Sequence, residues 1–281
     1  MNWKRSLQTL RHLGIGDRLK YERTLTSSVT TAWGVHWDEE MIARDIMQNF
    51  FDANRQQLSA VKVHVDGAHI TISAPAAFDL IRLFYLGSEK GGDDVGQYGE
   101  GFKAAVMCLL RDQRVEPIAL SGDEVAVLRI ADEPVPKTQL KPILYDFFRS
   151  NQDIEGARLI LRGCSRKLRE SLAMGLDHFL HDANSLVGPR LWATGDGLFA
   201  VHRSNQVDGH VFYRNLRRGQ VPGIPVVLVI NKEYAAIEKK VQHDRDRNAF
   251  GEGVMQTFYT IFARSGVYDA VDVTYPHPKC I

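Results

Sequence analysis

Cysteine is scarce and unpatterned. Cys108, Cys164 and Cys280 are the only three among 281 residues. Their wide, odd-numbered spacing offers neither a disulfide framework nor a metal-ligand motif, which fits a reducing compartment. Long apolar runs are missing too. The longest, Val221 to Ile230, holds two prolines and is too short to span a bilayer. Met1 to Gly16 scatters Lys4, Arg5, Arg11 and His12 among apolar residues, so no continuous signal-peptide core is expected there. A cytoplasmic location without membrane attachment is the expectation. Charge bias is absent as well: the formal net charge of +1 gives no global argument for nucleic acid or an acidic surface. No repeat or low-complexity tract is visible.

What remains is ordinary globular composition, 44% hydrophobic and 25% charged, enough for one large domain or two modest ones. Asp38 to about Leu58 reads as a helix with an acidic first turn and an Ile42, Ile46, Phe50, Ala53 stripe. Val61–Val65 and His69–Ser73 alternate around Asp66-Gly67, a hairpin signal. A glycine-rich, charged stretch from Gly87 to Gly101 leads into a helix after Phe102. Val125–Ala131 and Ala157–Leu161 are strand candidates, separated by a segment interrupted by Pro134, Pro136 and Pro142. Arg166 to Asn184 reads as helix. Leu198–His202, His210–Tyr213 and Val226–Ile230 then read as strands, and Val254–Ala263 as a final helix. Mixed elements without βαβ alternation predict an α+β class, with a boundary in the 165–190 stretch. We set the expected domains at 1–165 and 166–281.

The chemistry concentrates in two places. Gly96-Gln97-Tyr98-Gly99-Glu100-Gly101-Phe102-Lys103 opens a helix. Glycines let backbone N–H groups approach a ligand, and the helix N-terminus adds positive potential, so the segment suits phosphate. A tight loop capping a buried helix is the alternative. A P-loop is excluded because Phe102 separates Gly101 from Lys103 and Ala104 follows. A Rossmann fingerprint is excluded because the loop follows a helix-like segment rather than the first strand. Upstream, Asp45, Asn49 and Asp52 fall at i, i+4 and i+7 on one helix face. Two carboxylates and a carboxamide supply oxygen ligands for Mg²⁺ and a group able to orient a water. A solvated helix face is the alternative.

Together these segments resemble the GHKL ATPases, the superfamily of gyrase, heat-shock chaperone, histidine-kinase and mismatch-repair ATP-binding domains. Ala43 to Ala53 is similar to their N-box, and Gly96 to Lys103 to their second glycine box, nearest the Morc-type and heat-shock-chaperone forms. Leu86-Gly87-Ser88-Glu89-Lys90 resembles the stretch that opens their ATP lid. The likeness covers roughly residues 35–165.

The resemblance implies a Bergerat fold: a two-layer sandwich of helices on a mostly antiparallel sheet, here with a C-terminal α/β extension resembling a transducer. It further implies ATP as substrate or ligand and Mg²⁺ as cofactor. Asn49 would ligate the metal, and Asp45 would stand where the family's water-activating glutamate does. Asp52, Lys90, Gly96, Gln97, Tyr98, Gly99, Glu100, Gly101, Phe102 and Lys103 would line the nucleotide. Slow ATP hydrolysis used as a conformational switch is the function implied; a non-hydrolysing module that acts through partners is the alternative. A homodimer on ATP binding and a protein partner are implied as well.

Departures are visible. Asp45 is one methylene shorter than glutamate. The first glycine box is replaced by Ser73-Ala74-Pro75-Ala76-Ala77-Phe78, leaving Asp79 or Ser73 to meet the base. Ala157 stands where the family usually has a threonine. In the C-terminal half, Arg245 and Arg247, with Lys232, Lys239 and Lys240, are candidates for the γ-phosphate; solvated Asp–Arg pairs are the alternative. Arg214, Arg217 and Arg218 give a nucleic-acid contact only weak support. His178 and His181, three apart, lack a third metal ligand nearby.

Overall fold

The computed structural model describes residues 3–15, 19–85, 100–241 and 249–267. It is α+β, and the chain divides into two compact units, Met1–Leu176 and Asp177–Ile281.

The first unit is built on an all-antiparallel five-stranded sheet: β1 (Leu19–Thr30), β2 (Lys62–Asp66), β3 (His69–Ala74), β4 (Glu116–Ile130) and β5 (Pro142–Arg162). The 21-residue β5 is its spine. Along one side it pairs with β1 in its first half (Leu19↔Ser150 to Thr30↔Pro142). In its second half it pairs with β3 (His69↔Arg162 to Ala74↔Ala157). β4 runs along the other side for the whole length.

Alternation gives the sheet two apolar faces. One carries Ile118, Leu120, Val125, Val127 and Phe148, covered by Leu7 and Leu10 of α1 (Trp3–His12), with Trp3 stacked on Tyr21 at 4.6 Å. α2 (Glu39–Ala53), α3 (Gly101–Arg111) and α4 (Arg166–Ala173) pack together as a second group, α3 lying on β4 and α4 against β2.

Under α1 lies a fully buried carboxylate. Asp146 accepts hydrogen bonds from Ser6 Oγ (2.6 Å), Thr24 Oγ1 (2.6 Å) and Arg129 Nε (2.7 Å). It therefore ties the helix, β1 and β4 to β5.

Several local features follow from sequence. Asp38 caps α2 by accepting from Met41 N at 2.9 Å, and Gly67 turns the β2–β3 hairpin at φ +56°. Arg111, in the last turn of α3, donates to the carbonyls of Thr31 (3.3 Å), Trp33 (2.6 Å) and Val35, fixing the connector that leads into α2.

Other elements differ from the sequence expectation. β4 starts at Glu116 and passes through Ser121-Gly122, where Gly122 adopts φ +57° at an irregularity in register. The glycine thus stands at a bulge within the strand. Similarly, Pro142 is the first residue of β5, a position where a missing N–H costs no ladder bond. The helix expected over 166–184 stops at Ala173. Gly175 then passes over α2 so closely that a Cβ there would lie 2.4 Å from Met47 Cγ. α4 thus belongs with the first unit.

The second unit holds a mixed sheet in the order β6 (Val187–Ala193), β7 (Phe199–Ser204), β10 (Val226–Ile230), β8 (Gly209–Tyr213), β9 (Leu216–Val221). Its β10–β8 pair is parallel. One face packs Val211, Tyr213, Val226, Leu228 and Ile230 against Ile237 of α5 (Ala235–Val241) and Val254, Met255, Phe258 and Phe262 of α6 (Glu252–Ser265). The other carries Ala200, Phe212, Val227 and Val229 beneath Leu180 and Val187. No helix among the described residues is long and apolar enough to cross a membrane.

Removing the Arg129 side chain would leave Asp146 charged in the interior without its cation. Arg129→Ala is expected to lower unfolding free energy by about 3–5 kcal/mol in urea denaturation. A loss below about 1 kcal/mol would show that Ser6 and Thr24 suffice to hold the carboxylate.

Candidate functional site

α2 and α3 meet where the chemistry-bearing residues lie. Asp45 is buried on α2, 7% exposed. Gly101, the first residue of α3, lies against it: a Cβ built there would stand 2.3 Å from Asp45 Oδ1 and 3.3 Å from Cγ. Only glycine permits this approach. Glu100 at the N-cap makes no side-chain capping bond, so the positive end of α3 is not capped by its own neighbour. Residues far apart in sequence are thus brought together at one helix start.

Asp45 has a second partner. Arg44 donates to Oδ2 from Nε (2.9 Å) and Nη2 (2.6 Å), and both side chains are nearly inaccessible. The two oxygens therefore face different groups, Oδ2 a guanidinium and Oδ1 the glycine at the α3 start.

Asn49 Nδ2 donates to the Asp45 backbone carbonyl at 3.2 Å, one turn back on α2. Donation from the amide nitrogen fixes which way the carboxamide points. Asp52 lies one turn further on, 2.9 Å from Arg55 Nη2, and the Arg55 guanidinium lies 5.4 Å from the Phe51 ring centre. Lys103 is 3% exposed in the first turn of α3. Burial pushes its pKa down to about 8, with the Glu100 charge acting in the opposite sense. Phe102 is half-buried beside it.

The segment from Ala74 to Phe78 is held from three sides. Asn54, just past α2 and 2% exposed, accepts from Ala76 N at 3.1 Å and donates to Phe50 O at 2.9 Å. Ser121 Oγ accepts from Phe78 N at 2.9 Å. Gly156, at φ +68°, approaches so closely that a Cβ would lie 2.1 Å from the Ala74 carbonyl oxygen. Ala157 pairs with both Ala74 and Ser121 across the strands. Asp79 is exposed, and its carboxylate accepts from Ile81 N at 3.1 Å as the cap of the 3-10 turn Leu80–Leu83.

Lys90, Gly96, Gln97, Tyr98, Gly99, Arg245 and Arg247, all candidates from the sequence, lie outside the described residues. Among the described residues no group of three or more His, Cys, Asp or Glu is arranged to hold a metal. His178 is buried in the second unit, its Nδ1 3.3 Å from Arg217 Nη2.

Sequence reasoning passed over Arg44, Asn54, Ser121 and Gly156. Arg44 had a signal: a cation inside an otherwise apolar helix stretch needs an anion. Gly156 within a strand run is a recognised sign of close backbone approach. Asn54 and Ser121 carried none.

No protein-family model matches the chain, and no curated protein matches it.

Adding one methyl group at the α2–α3 contact would push α3 from Asp45 or break the Arg44 pair. Gly101→Ala is expected to cost about 1–3 kcal/mol of stability, the usual range for overpacking. An unchanged melting temperature would mean that α3 shifts freely there.

Proposed function

We propose that the first unit binds a Mg-nucleoside triphosphate at the meeting of α2 and α3, and that slow hydrolysis of the γ-phosphate there works as a conformational switch. The observation that carries this reading is the Gly101–Asp45 contact. It joins a glycine-led helix start, suited to phosphate, to the helix bearing Asp45, Asn49 and Asp52. A layer of helices on an antiparallel sheet, with the β2–β3 hairpin between α2 and α3, also agrees with the GHKL resemblance.

In this reading Asn49 supplies an oxygen to Mg²⁺, which would spread the phosphate charge when bound. Asp45 orients the attacking water through Oδ1 while Arg44 fixes Oδ2. A shorter, arginine-paired carboxylate makes a constrained base, which fits slow turnover. Lys103 adds positive charge near the phosphates. A module that binds nucleotide without hydrolysing it is the second reading, favoured by that same Arg44 pairing.

Calorimetric titration with ATP, a non-hydrolysable analogue and GTP, with and without Mg²⁺, tests the core claim. Absence of binding by all three would end it. Asp45→Ala is expected to retain affinity and abolish turnover, with Asp45→Asn as the shape-preserving control. Normal turnover in both variants would remove Asp45 from this role. Asn49→Ala should weaken Mg²⁺-dependent affinity about tenfold, or 1.4 kcal/mol.

Lys103 gives an independent readout. With its pKa depressed to about 8, part of the population is neutral near that pH, and bound phosphate favours the charged form. Binding at pH 8 should therefore take up protons, seen as heats that vary with buffer ionisation enthalpy, and the effect should fade toward pH 6. Buffer-independent heats at pH 8 would place Lys103 away from the phosphates.

A further inference from the structure

The second unit holds a cleft of its own, about 500 Å³, on the sheet face opposite α5 and α6. Its size suits a small organic ligand. The floor is apolar, with Ala200 and Val229 side by side in register. Leu180, His181 and Asp182 line it from the segment next to β9, where Leu180 N donates to Asn215 O at 2.8 Å.

The polar groups of this cleft are sorted by what they still offer. Arg190 and His202 are register partners on β6 and β7. His202 Nδ1 lies 3.3 Å from the Gly188 carbonyl. A carbonyl only accepts, so Nδ1 carries the hydrogen and Nε2 of the neutral ring remains an acceptor. Burial, with a smaller contribution from Arg190, lowers the His202 pKa and favours that neutral ring. Asn231 donates from Nδ2 to the Gly197 carbonyl at 2.9 Å, which leaves its Oδ1 as an acceptor.

Arg190 and Asp182 both line the cleft, and neither forms an ion pair with any described residue. They do not pair with each other, so more than 4.0 Å separates guanidinium from carboxylate. A cation and an anion that do not pair with each other thus flank an apolar floor, with two acceptors among the lining residues.

We propose that this cleft binds a free α-amino acid with an apolar side chain. Arg190 takes the carboxylate, Asp182 and Asn231 Oδ1 take the ammonium, and the side chain lies on Ala200 and Val229. A guanidinium–carboxylate contact is charge-assisted and favours this orientation over the reverse. The inference does not depend on nucleotide binding by the first unit.

The test uses the full chain, with L-leucine and L-phenylalanine as probes in calorimetry and thermal-shift measurements. Two analogues separate the charges: 4-methylpentanoate lacks the ammonium and 3-methylbutylamine lacks the carboxylate. Both amino acids should raise the melting temperature, and each analogue should bind at least about tenfold more weakly. Arg190→Ala and Asp182→Ala lie at exposed positions. They should leave the ligand-free melting temperature unchanged and weaken leucine binding by at least the same factor. Either of two results would overturn the proposal: no binding of either amino acid at about 1 mM, or an analogue binding as tightly as leucine. Wild-type affinity in both variants would do so too.

Discussion

The first unit depends on β5 changing partners halfway along its length. Its first half is zipped to β1 and its second to β3, while β4 accompanies it throughout. Such a strand must be held against slippage, because a one-residue shift would turn Phe148 and its neighbours to the wrong face. Asp146 supplies a lock in the first half, since its three donors come from α1, β1 and β4. Gly156 marks the changeover in the second. Its left-handed backbone lets β5 pass the Ala74 carbonyl at a distance no side chain would allow.

That close passage shapes the candidate site. The chain leaving β3 is held by Gly156 behind it, Asn54 at Ala76 and Ser121 at Phe78. Asn54 immediately follows α2, the helix that carries Asp45, Asn49 and Asp52. One end of α2 is therefore fastened to the 74–78 segment, and its middle meets α3 through Gly101. The connector before α2 is fastened in turn by Arg111 at the far end of α3. α3 touches the polar face of α2 at its start and secures the approach to α2 at its end. A displacement of α3 would thus be felt at both places, which is the mechanical requirement for a switch.

Much of this was legible in the sequence where a single local rule decides. The β2–β3 hairpin followed from Asp66-Gly67, and α2 from its acidic first turn and apolar stripe. The spacing of Asp45, Asn49 and Asp52 put them on one face. What stayed hidden is decided by contacts between distant residues. Pro142 reads as an interruption because local signals treat proline as a breaker, whereas at the first position of β5 its missing N–H costs no ladder bond. Beyond the end of α4, Gly175 packs against Met47, more than a hundred residues upstream, and no local signal at Gly175 could reveal that contact. β1, β6 and β9 escaped notice because polar or charged residues interrupt the apolar alternation in each, and each owes its pairing to neighbours.

The Arg44–Asp45 pair and the anchoring of the 74–78 segment make joint physical sense. The short aspartate side chain keeps the Asp45 carboxylate close to its own helix, where Arg44 grips one oxygen with two hydrogen bonds. Burying that pair costs desolvation that only good geometry offsets, and two charge-assisted hydrogen bonds to Oδ2 with close packing against Gly101 supply it. The pair thereby gains positional order and loses freedom to move. At the 74–78 end, the peptide N–H groups of Ala76 and Phe78 are likewise committed, donating to Asn54 Oδ1 and Ser121 Oγ. Both arrangements exchange side-chain and main-chain freedom for rigidity, so the middle and one end of α2 are held by groups that have little room to move.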